Sequence, residues 1–171
     1  MKLSDQYEII NRFCSTAPVK LTELAMALGV SVRRSFLDDS MSGMLERLPA
    51  GDYRITVNAT HRITRQRFTI AHELGHFMLH RHLVGDGIDD NKAYRSTQEG
   101  LYHNTSIGPK QETEANRFAA NILMPRQVLD AEKSKEGATV SSLARLFEVS
   151  KQTMSIRLGI PYETTQSPNR K

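Results

Sequence analysis

The amino-acid sequence predicts an α+β fold in which a small antiparallel β-sheet packs on a core of helices. Apolar residues alternate with polar ones over 53–57, as in a half-buried strand. They recur at helical spacing over 66–80, and again between Lys110 and Pro125. At 171 residues, of which 39% are hydrophobic, the chain can bury the core of one domain with a small appendage.

The first predicted elements are two short helices over residues 5–13 and 20–28. Gly29 ends the apolar pattern of the second helix. Cys14, next to the first helix, is expected to be a small buried hydrophobic residue and not a nucleophile. Because it is the single cysteine of the chain, it excludes an internal disulfide and fits a reducing compartment.

A β-hairpin is predicted next, from segments 41–48 and 53–57. Between them, residues 49–52 read Pro-Ala-Gly-Asp, a composition typical of turns. After His82 the sequence is rich in Gly and Asp and then polar as far as Pro109, which predicts a long irregular connection. Loops of that length inside a compact domain are usually functional or mobile.

Charge and hydropathy limit the classes of partner. The net charge is +4 and the pI is near 9.3, but Lys and Arg are scattered, which permits contact with nucleic acid without arguing for it. No apolar run approaches membrane-spanning length, and residues 1–13 contain no signal-peptide core. We expect a soluble, cytoplasmic protein without a membrane partner.

Residues 72–76 read His-Glu-Leu-Gly-His, and this motif is the most informative feature of the chain. Two imidazoles four residues apart on a helix lie within about 40° of one face and about 6 Å apart along the axis, so both can bind one metal ion. Glu73 cannot easily join His72 and His76 in that coordination sphere. It can instead take a proton from water at an open coordination position, as in zinc peptidases.

The helical wheel of this segment supports a metal site. Apolar residues cover most of the circumference, and no Lys, Arg or Asp occurs between residues 68 and 80. Buried imidazole and carboxylate groups need partners, and a metal ion would supply one. The alternative is a pair of core histidines bonded to backbone. The part of the helix circumference that is not apolar is a narrow polar stripe, which consists of Thr69, His72, Glu73, His76 and His80.

A catalytic zinc site needs a third protein ligand, and the helix that begins near Lys110 offers Glu112 and Glu114. Glu112 lies about 50° from the centre of the apolar face, and Glu114 about 110°. Glu112 is therefore the predicted ligand, and Glu114 is predicted to be a solvated carboxylate. Asn116, near the same face as Glu112, is predicted to orient His72 or His76 by accepting the second ring N–H.

Other polar residues are weaker candidates. His82 has the spacing of a third histidine ligand only if the helix breaks after His76, and Leu79 stands where that break needs glycine. His80 is predicted to line the site or to bond backbone. In the long connection, Asp86, Asp89, Asp90 and His103 are possible ligands on a less precise support, and Tyr94, Tyr102 or His103 could donate to a developing oxyanion.

The C-terminal pattern over 140–158 is typical of a helix-turn-helix, with Ser150 capping the second helix. Residues 24–31 show a similar pattern. We therefore predict a core over residues 1–132 and a helix-turn-helix-like segment with a polar tail over 133–171. Packing or partner recognition is favoured over DNA reading, because the second helix offers few polar or basic side chains, namely Lys151, Gln152 and Arg157.

Three segments resemble the ImmA/IrrE family of metallopeptidases: RQRFTIAHELGHFMLH at 65–80, ETEANRFAANILMP at 112–125 and LARLFEVSKQTMSIRL at 143–158. Together with the hairpin at 43–58 they are distributed over residues 43–158, which make up most of the chain. The resemblance implies a zincin-type helical core and an enzyme that cleaves or otherwise inactivates a partner repressor with a helix-turn-helix. Such proteins act in bacteria, phages or mobile elements.

The resemblance also implies residue roles: His72 and His76 as ligands of one zinc ion, Glu112 as the third ligand, and Glu73 as the catalytic carboxylate. Manganese or iron could occupy the same two-histidine, one-carboxylate site. The predicted function is limited endoproteolysis of a repressor, in which Glu73 passes the water proton to the leaving amine. The alternatives are a metal-binding regulator that binds DNA or a repressor without proteolysis, and a purely structural zinc.

Overall fold

The protein is described by a computed structural model that covers residues 2–83, 94–97 and 107–161. Over 94–97 it describes the backbone. Within these ranges the fold is α+β, with the helices and strands in this order: α1 (Leu3–Phe13), α2 (Leu21–Ala27), β1 (Val30–Ser35), β2 (Met41–Arg47), β3 (Tyr53–Asn58), α3 (Ile63–His80), β4 (Tyr94–Thr97), α4 (Pro109–Leu123), α5 (Arg126–Lys133), α6 (Val140–Leu146) and α7 (Lys151–Leu158).

The sheet contains four strands in the order β1-β3-β2-β4. The predicted hairpin is present, because β2 pairs antiparallel with β3. The prediction of an antiparallel sheet was wrong for β1, which pairs parallel with β3 from Val30 opposite Tyr53. This strand was not predicted because Val30 and Val32 are followed by Arg33 and Arg34, and so short an alternation cannot be distinguished from the helix-turn-helix-like pattern of residues 24–31.

The prediction of an irregular connection between His82 and Pro109 was also wrong in part. Tyr94–Thr97 forms β4, which pairs antiparallel with β2 at the edge of the sheet. The pairing shifts register between Met41 and Gly43. A strand of four residues surrounded by polar sequence has too little hydrophobic periodicity to be recognised without its partner.

Helix α3 packs between the sheet and α4, and small residues permit the close approach on both sides. A Cβ at Gly43 would lie 2.5 Å from Thr69 Cγ2 and 2.7 Å from the Thr56 carbonyl oxygen. A Cβ at Gly75 would lie 3.0 Å from the Cα of Ala115 on α4. The glycine inside the His-Glu-Leu-Gly-His motif thus brings α4 close to the face that carries the histidines.

The C-terminal helices pack on the same core. Leu143, Phe147 and Met154 are buried and belong to one hydrophobic cluster with residues of α2, α3 and the sheet. The Arg67 guanidinium on α3 lies 3.1 Å from a Glu148 carboxylate oxygen. The C-terminal helices thus share the core, and the segment between α6 and α7 contacts α3. Across the part of the chain that the structure describes, no helix is both long and apolar enough to cross a membrane.

Candidate metal centre

Helix α3 carries the predicted polar stripe into the interior. His72 and His80 are each 4% exposed, and Glu73 and His76 are fully buried. Their spacing of one turn places the imidazoles of His72, His76 and His80 one above the other along the helix. No solvated face of α3 is left for these groups, so their hydrogen bonds must come from one another, from α4 or from a ligand.

The structure brings together the three predicted ligands. The Nε2 atoms of His72 and His76 lie 3.0 Å apart. Glu112 on α4 places one carboxylate oxygen 3.3 Å from His72 Nε2 and the other 3.6 Å from His76 Nε2. One donor atom from each of the three residues lies within 4.8 Å of the others, close enough to bind one metal ion.

Asn116 lies where its predicted role requires. Its Oδ1 atom is 2.9 Å from His72 Nδ1. When Oδ1 accepts a hydrogen bond from the Nδ1–H group, the lone pair of the neutral imidazole is on Nε2, which faces His76 and Glu112. The ring of Phe68 stacks on the imidazole of His72, with ring centroids 6.3 Å apart. His72 is thereby held in one orientation.

Burial dominates the electrostatics of the histidines. Burial lowers the pKa of His76 to about 2, helped by the neighbouring charges of His72 and His80. Burial also lowers the pKa of His72, but hydrogen bonding to Glu112 and the charge of Glu73 outweigh it, so that this pKa is raised overall. A neutral imidazole is the form that coordinates a metal ion, and His76 meets that condition at any physiological pH.

Glu73 is the unusual group of the site. Neither of its carboxylate oxygens has a hydrogen-bond partner among the described residues, although the side chain is fully buried. Burial raises the pKa of Glu73 to about 8; the charge of His72 opposes this effect and that of Glu112 adds to it. A buried carboxylate without a partner is costly unless a cation or a polar ligand compensates it. This orphaned group and the His-His-Glu donor set fit a divalent metal ion.

One contact bears on the predictions for both His80 and Glu114. Two alternatives were left open for His80, lining the site or bonding backbone, and its side chain contacts the candidate ligand His76: its Nδ1 lies 3.2 Å from His76 Nδ1, and its Nε2 lies 2.9 Å from Glu114 Oε2. Glu114 is partly exposed but is not simply solvated, because it forms this bond. The helical wheel did not predict the contact between Glu114 and His80, because a glutamate side chain is long enough to reach a neighbouring helix from the edge of the packed face.

The remaining candidates do not join the cluster. His82 is exposed in a short 3₁₀ turn over Arg81–Leu83, outside the group of possible ligands that the described residues form. Tyr94 is described only by its backbone in β4. Five other candidates lie outside the described residues: Asp86, Asp89, Asp90, Tyr102 and His103.

A cleft of about 440 Å³ opens beside His72 and Glu112. Arg65 and Phe68 of α3 line it, and Arg65 donates two hydrogen bonds, of 3.1 and 2.8 Å, to Ser42 Oγ. The first turn of α7 forms part of the wall, with Gln152 and Thr153. The sequence analysis missed the lining role of α7 because nothing in a linear pattern indicates which surface a distant helix will face.

Comparison with known proteins identifies the family of the chain. The model of a peptidase family, described as the IrrE N-terminal-like domain, matches residues 19–159, which include α3, α4 and the whole possible ligand set. The chain belongs to this family. The match supports the ImmA/IrrE resemblance predicted from the sequence.

Two curated relatives carry the same name, radiation response metalloprotease IrrE. The protein from Deinococcus radiodurans is 35% identical over 114 residues, which are 67% of this chain and 32% of that protein. The protein from Deinococcus deserti is 30% identical over 145 residues, 77% of this chain and 48% of that protein. The chain thus spans less than half of the length of each of these relatives.

A solved structure shares the fold. A Mycobacterium tuberculosis transcriptional regulator superposes with a TM-score of 0.61 at 18% sequence identity, over 94% of this chain and 48% of that chain. At this identity the likeness concerns the arrangement of helices and strands.

Proposed function

We propose that this chain is a zinc-dependent endopeptidase that cleaves a partner protein, a helix-turn-helix transcriptional repressor, and so relieves repression. One observation carries the proposal: a fully buried carboxylate without a hydrogen-bond partner among the described residues, Glu73, adjoins three side chains that converge on one point, His72, His76 and Glu112. Membership in a peptidase family supports the same activity.

His72, His76 and Glu112 would hold the ion. Two imidazoles and one carboxylate form a donor set of catalytic zinc sites, and three protein ligands leave a coordination position open. When bound, zinc supplies Lewis-acid polarisation of the scissile carbonyl and a lower pKa for water at the open position. Manganese or iron would also fit this donor set, and zinc is proposed from the ligand types. A purely structural zinc is disfavoured, because it would leave the buried Glu73 carboxylate without a function.

Glu73 would be the catalytic base and then the acid. Its carboxylate would take a proton from the attacking water and deliver it to the leaving amine. A raised pKa makes a carboxylate a stronger base than an exposed one, and burial raises the pKa of Glu73. The cleft beside His72 would hold the substrate chain, with Phe68 and the first turn of α7 as its walls. Asn116 would keep His72 in its binding orientation.

The proposed substrate class comes from the family resemblance. A regulatory peptidase of this kind would act on a repressor that is present in the same compartment, the cytoplasm. The charge of the chain is compatible with several partners and does not select one.

The test uses a helix-turn-helix repressor encoded beside this gene, incubated with the purified zinc-loaded protein and read by intact mass. We expect cleavage by the parent protein, loss of cleavage with chelator, and loss of cleavage by Glu73→Gln with its zinc retained. Gln keeps the size of the side chain but cannot accept the proton. Glu136→Gln, on the surface, is the matched control and should cleave like the parent. Cleavage by Glu73→Gln at the parental rate would refute the mechanism.

The alternative is a metal-binding regulator that binds DNA or a repressor without proteolysis. It is motivated by the helix-turn-helix-like pattern of the C-terminal segment, where α6 and α7 are consecutive helices joined by residues 147–150. One polar side chain of α7 is engaged, however: Arg157 donates to the Met124 carbonyl oxygen at 3.2 Å. A DNA-reading helix needs such side chains free. Salt-sensitive binding to duplex DNA, or relief of repression by Glu73→Gln at parental potency, would favour this alternative.

A further inference from the structure

A chain of hydrogen-bonding groups runs from the possible metal ligands to the protein surface. His76 Nδ1 lies 3.2 Å from His80 Nδ1, and His80 Nε2 lies 2.9 Å from a carboxylate oxygen of Glu114. His76 and His80 are buried, whereas the Glu114 side chain is 42% exposed. The chain therefore begins at a candidate ligand on α3 and ends on a carboxylate of α4 that contacts solvent.

The carboxylate at the end determines the direction of every hydrogen bond in the chain. An ionised carboxylate only accepts, so His80 Nε2 must carry a proton and donate to Glu114. A neutral His80 then has its lone pair on Nδ1, and His76 must donate its Nδ1–H to it. The lone pair of His76 is consequently on Nε2, the atom that faces His72 and Glu112.

The opposite direction is disfavoured by the same contact. If His80 donated from Nδ1 to His76, its Nε2 lone pair would face the Glu114 carboxylate at 2.9 Å, and two acceptors would repel each other. His76 would also carry its proton on Nε2, where it cannot bind a cation. With His80 neutral, Glu114 thus disfavours the tautomer of His76 that is unable to coordinate.

We propose that His80 and Glu114 are positioning residues that fix the tautomer and the ring orientation of His76 for metal binding. The inference rests on the metal-binding part of the proposed function. Helix α4 then serves both histidine ligands: Asn116 orients His72 directly, and Glu114 orients His76 through one intervening imidazole. Groups that orient ligand histidines in this way typically contribute about 10- to 100-fold to metal affinity.

The test measures the dissociation constant for Zn²⁺ by competition with a chromophoric chelator. Glu114→Ala removes the terminal acceptor, and His80→Phe removes the acceptor for His76 while keeping a ring of similar size. We expect each to weaken zinc binding by about 10- to 100-fold. His80→Asn should remain near the parent value, because its amide oxygen can accept from His76 Nδ1–H without help from Glu114.

Coupling between the two positions sharpens the test. Adding Glu114→Ala to His80→Phe should cause no further loss, because Glu114 acts only through His80. Glu132→Ala is the matched control: it removes one surface carboxylate, bonded to Lys135 on the protein surface, and should bind zinc like the parent. Thermal denaturation of the zinc-free variants separates a loss of affinity from a loss of folding.

The outcomes discriminate between the inference and the function on which it rests. Parental zinc affinity in Glu114→Ala overturns the inference, and so does a His80→Asn protein that binds as weakly as His80→Phe, since the role of the imidazole would then be packing alone. A parent protein that takes up no zinc overturns the proposed function itself.

Discussion

Replacing Glu73 by Met should stabilise the metal-free protein. The carboxylate is fully buried and has no hydrogen-bond partner among the described residues, so folding removes it from water without a compensating hydrogen bond. Met is similar in length and flexible enough to fill the same space. The site that is proposed to perform the chemistry is thus expected to weaken the fold in the absence of its ion.

The expected gain can be worked from the pKa. Burial raises the pKa of Glu73 from 4.5 to about 8. Each pH unit above 4.5 lowers the free energy of unfolding by about 1.4 kcal/mol, which amounts to about 3 kcal/mol at pH 7. Measured costs of unpaired buried polar groups are about 1–3 kcal/mol, so we expect Glu73→Met to raise the free energy of unfolding by about that amount.

The stability gained by Glu73→Met should increase with pH. Because the folded-state pKa is raised, the destabilisation is absent below pH 4.5 and grows until the pH reaches about 8. Urea unfolding with EDTA, followed by circular dichroism at pH 5 and pH 8, should show a larger gain at pH 8. Glu136→Met, at an exposed position, should change stability by less than about 0.5 kcal/mol. A Glu73→Met protein no more stable than the parent at pH 8 contradicts the argument.

Two further predictions concern packing and the cysteine. Gly43→Ala should destabilise the protein by about 1–3 kcal/mol in urea unfolding, because the new Cβ lies closer than 3.0 Å to Thr69 and to the Thr56 carbonyl oxygen. Adding Thr69→Ala should restore only part of the lost stability, since the contact with the carbonyl oxygen remains. Full recovery of stability would refute this explanation. Burial raises the pKa of Cys14 to about 11, so alkylation of the folded protein at pH 8 should be slow. Its rate should increase about tenfold per pH unit, as the fraction of thiolate does. Equal alkylation rates in the folded and the urea-unfolded protein would contradict this prediction.

The sequence was most informative where the relevant contacts are local. Helical geometry places His72 and His76 on one face of α3, and the helical wheel of α4 selects Glu112 because it lies near the apolar face. The predicted boundaries of α3 and α4 agree with the structure to within a few residues, since long periodic segments are the clearest patterns in a sequence. These inferences needed only residues within a few turns of one another.

Contacts between distant segments could not be predicted from the sequence. The parallel pairing of β1 with β3 and the pairing of β4 with β2 depend on partners that no local pattern specifies. Nothing in the spacing of His80 and Glu114 indicates that they meet, because their contact depends on the angle and separation of two helices. The same holds for the first turn of α7, which becomes a wall of the cleft only through the packing of the core.

The linear order of residues was therefore enough to specify which chemical groups this protein has available: two imidazoles and an acid on one helix, and a carboxylate and an amide on another. Their convergence required the close approach of α3 and α4, which Gly75 permits by leaving space for Ala115. Helical periodicity is a property of neighbouring residues and can be derived without a structure. Hydrogen bonds between helices require atoms to meet within about 3 Å, and that precision comes from the packing of the whole core.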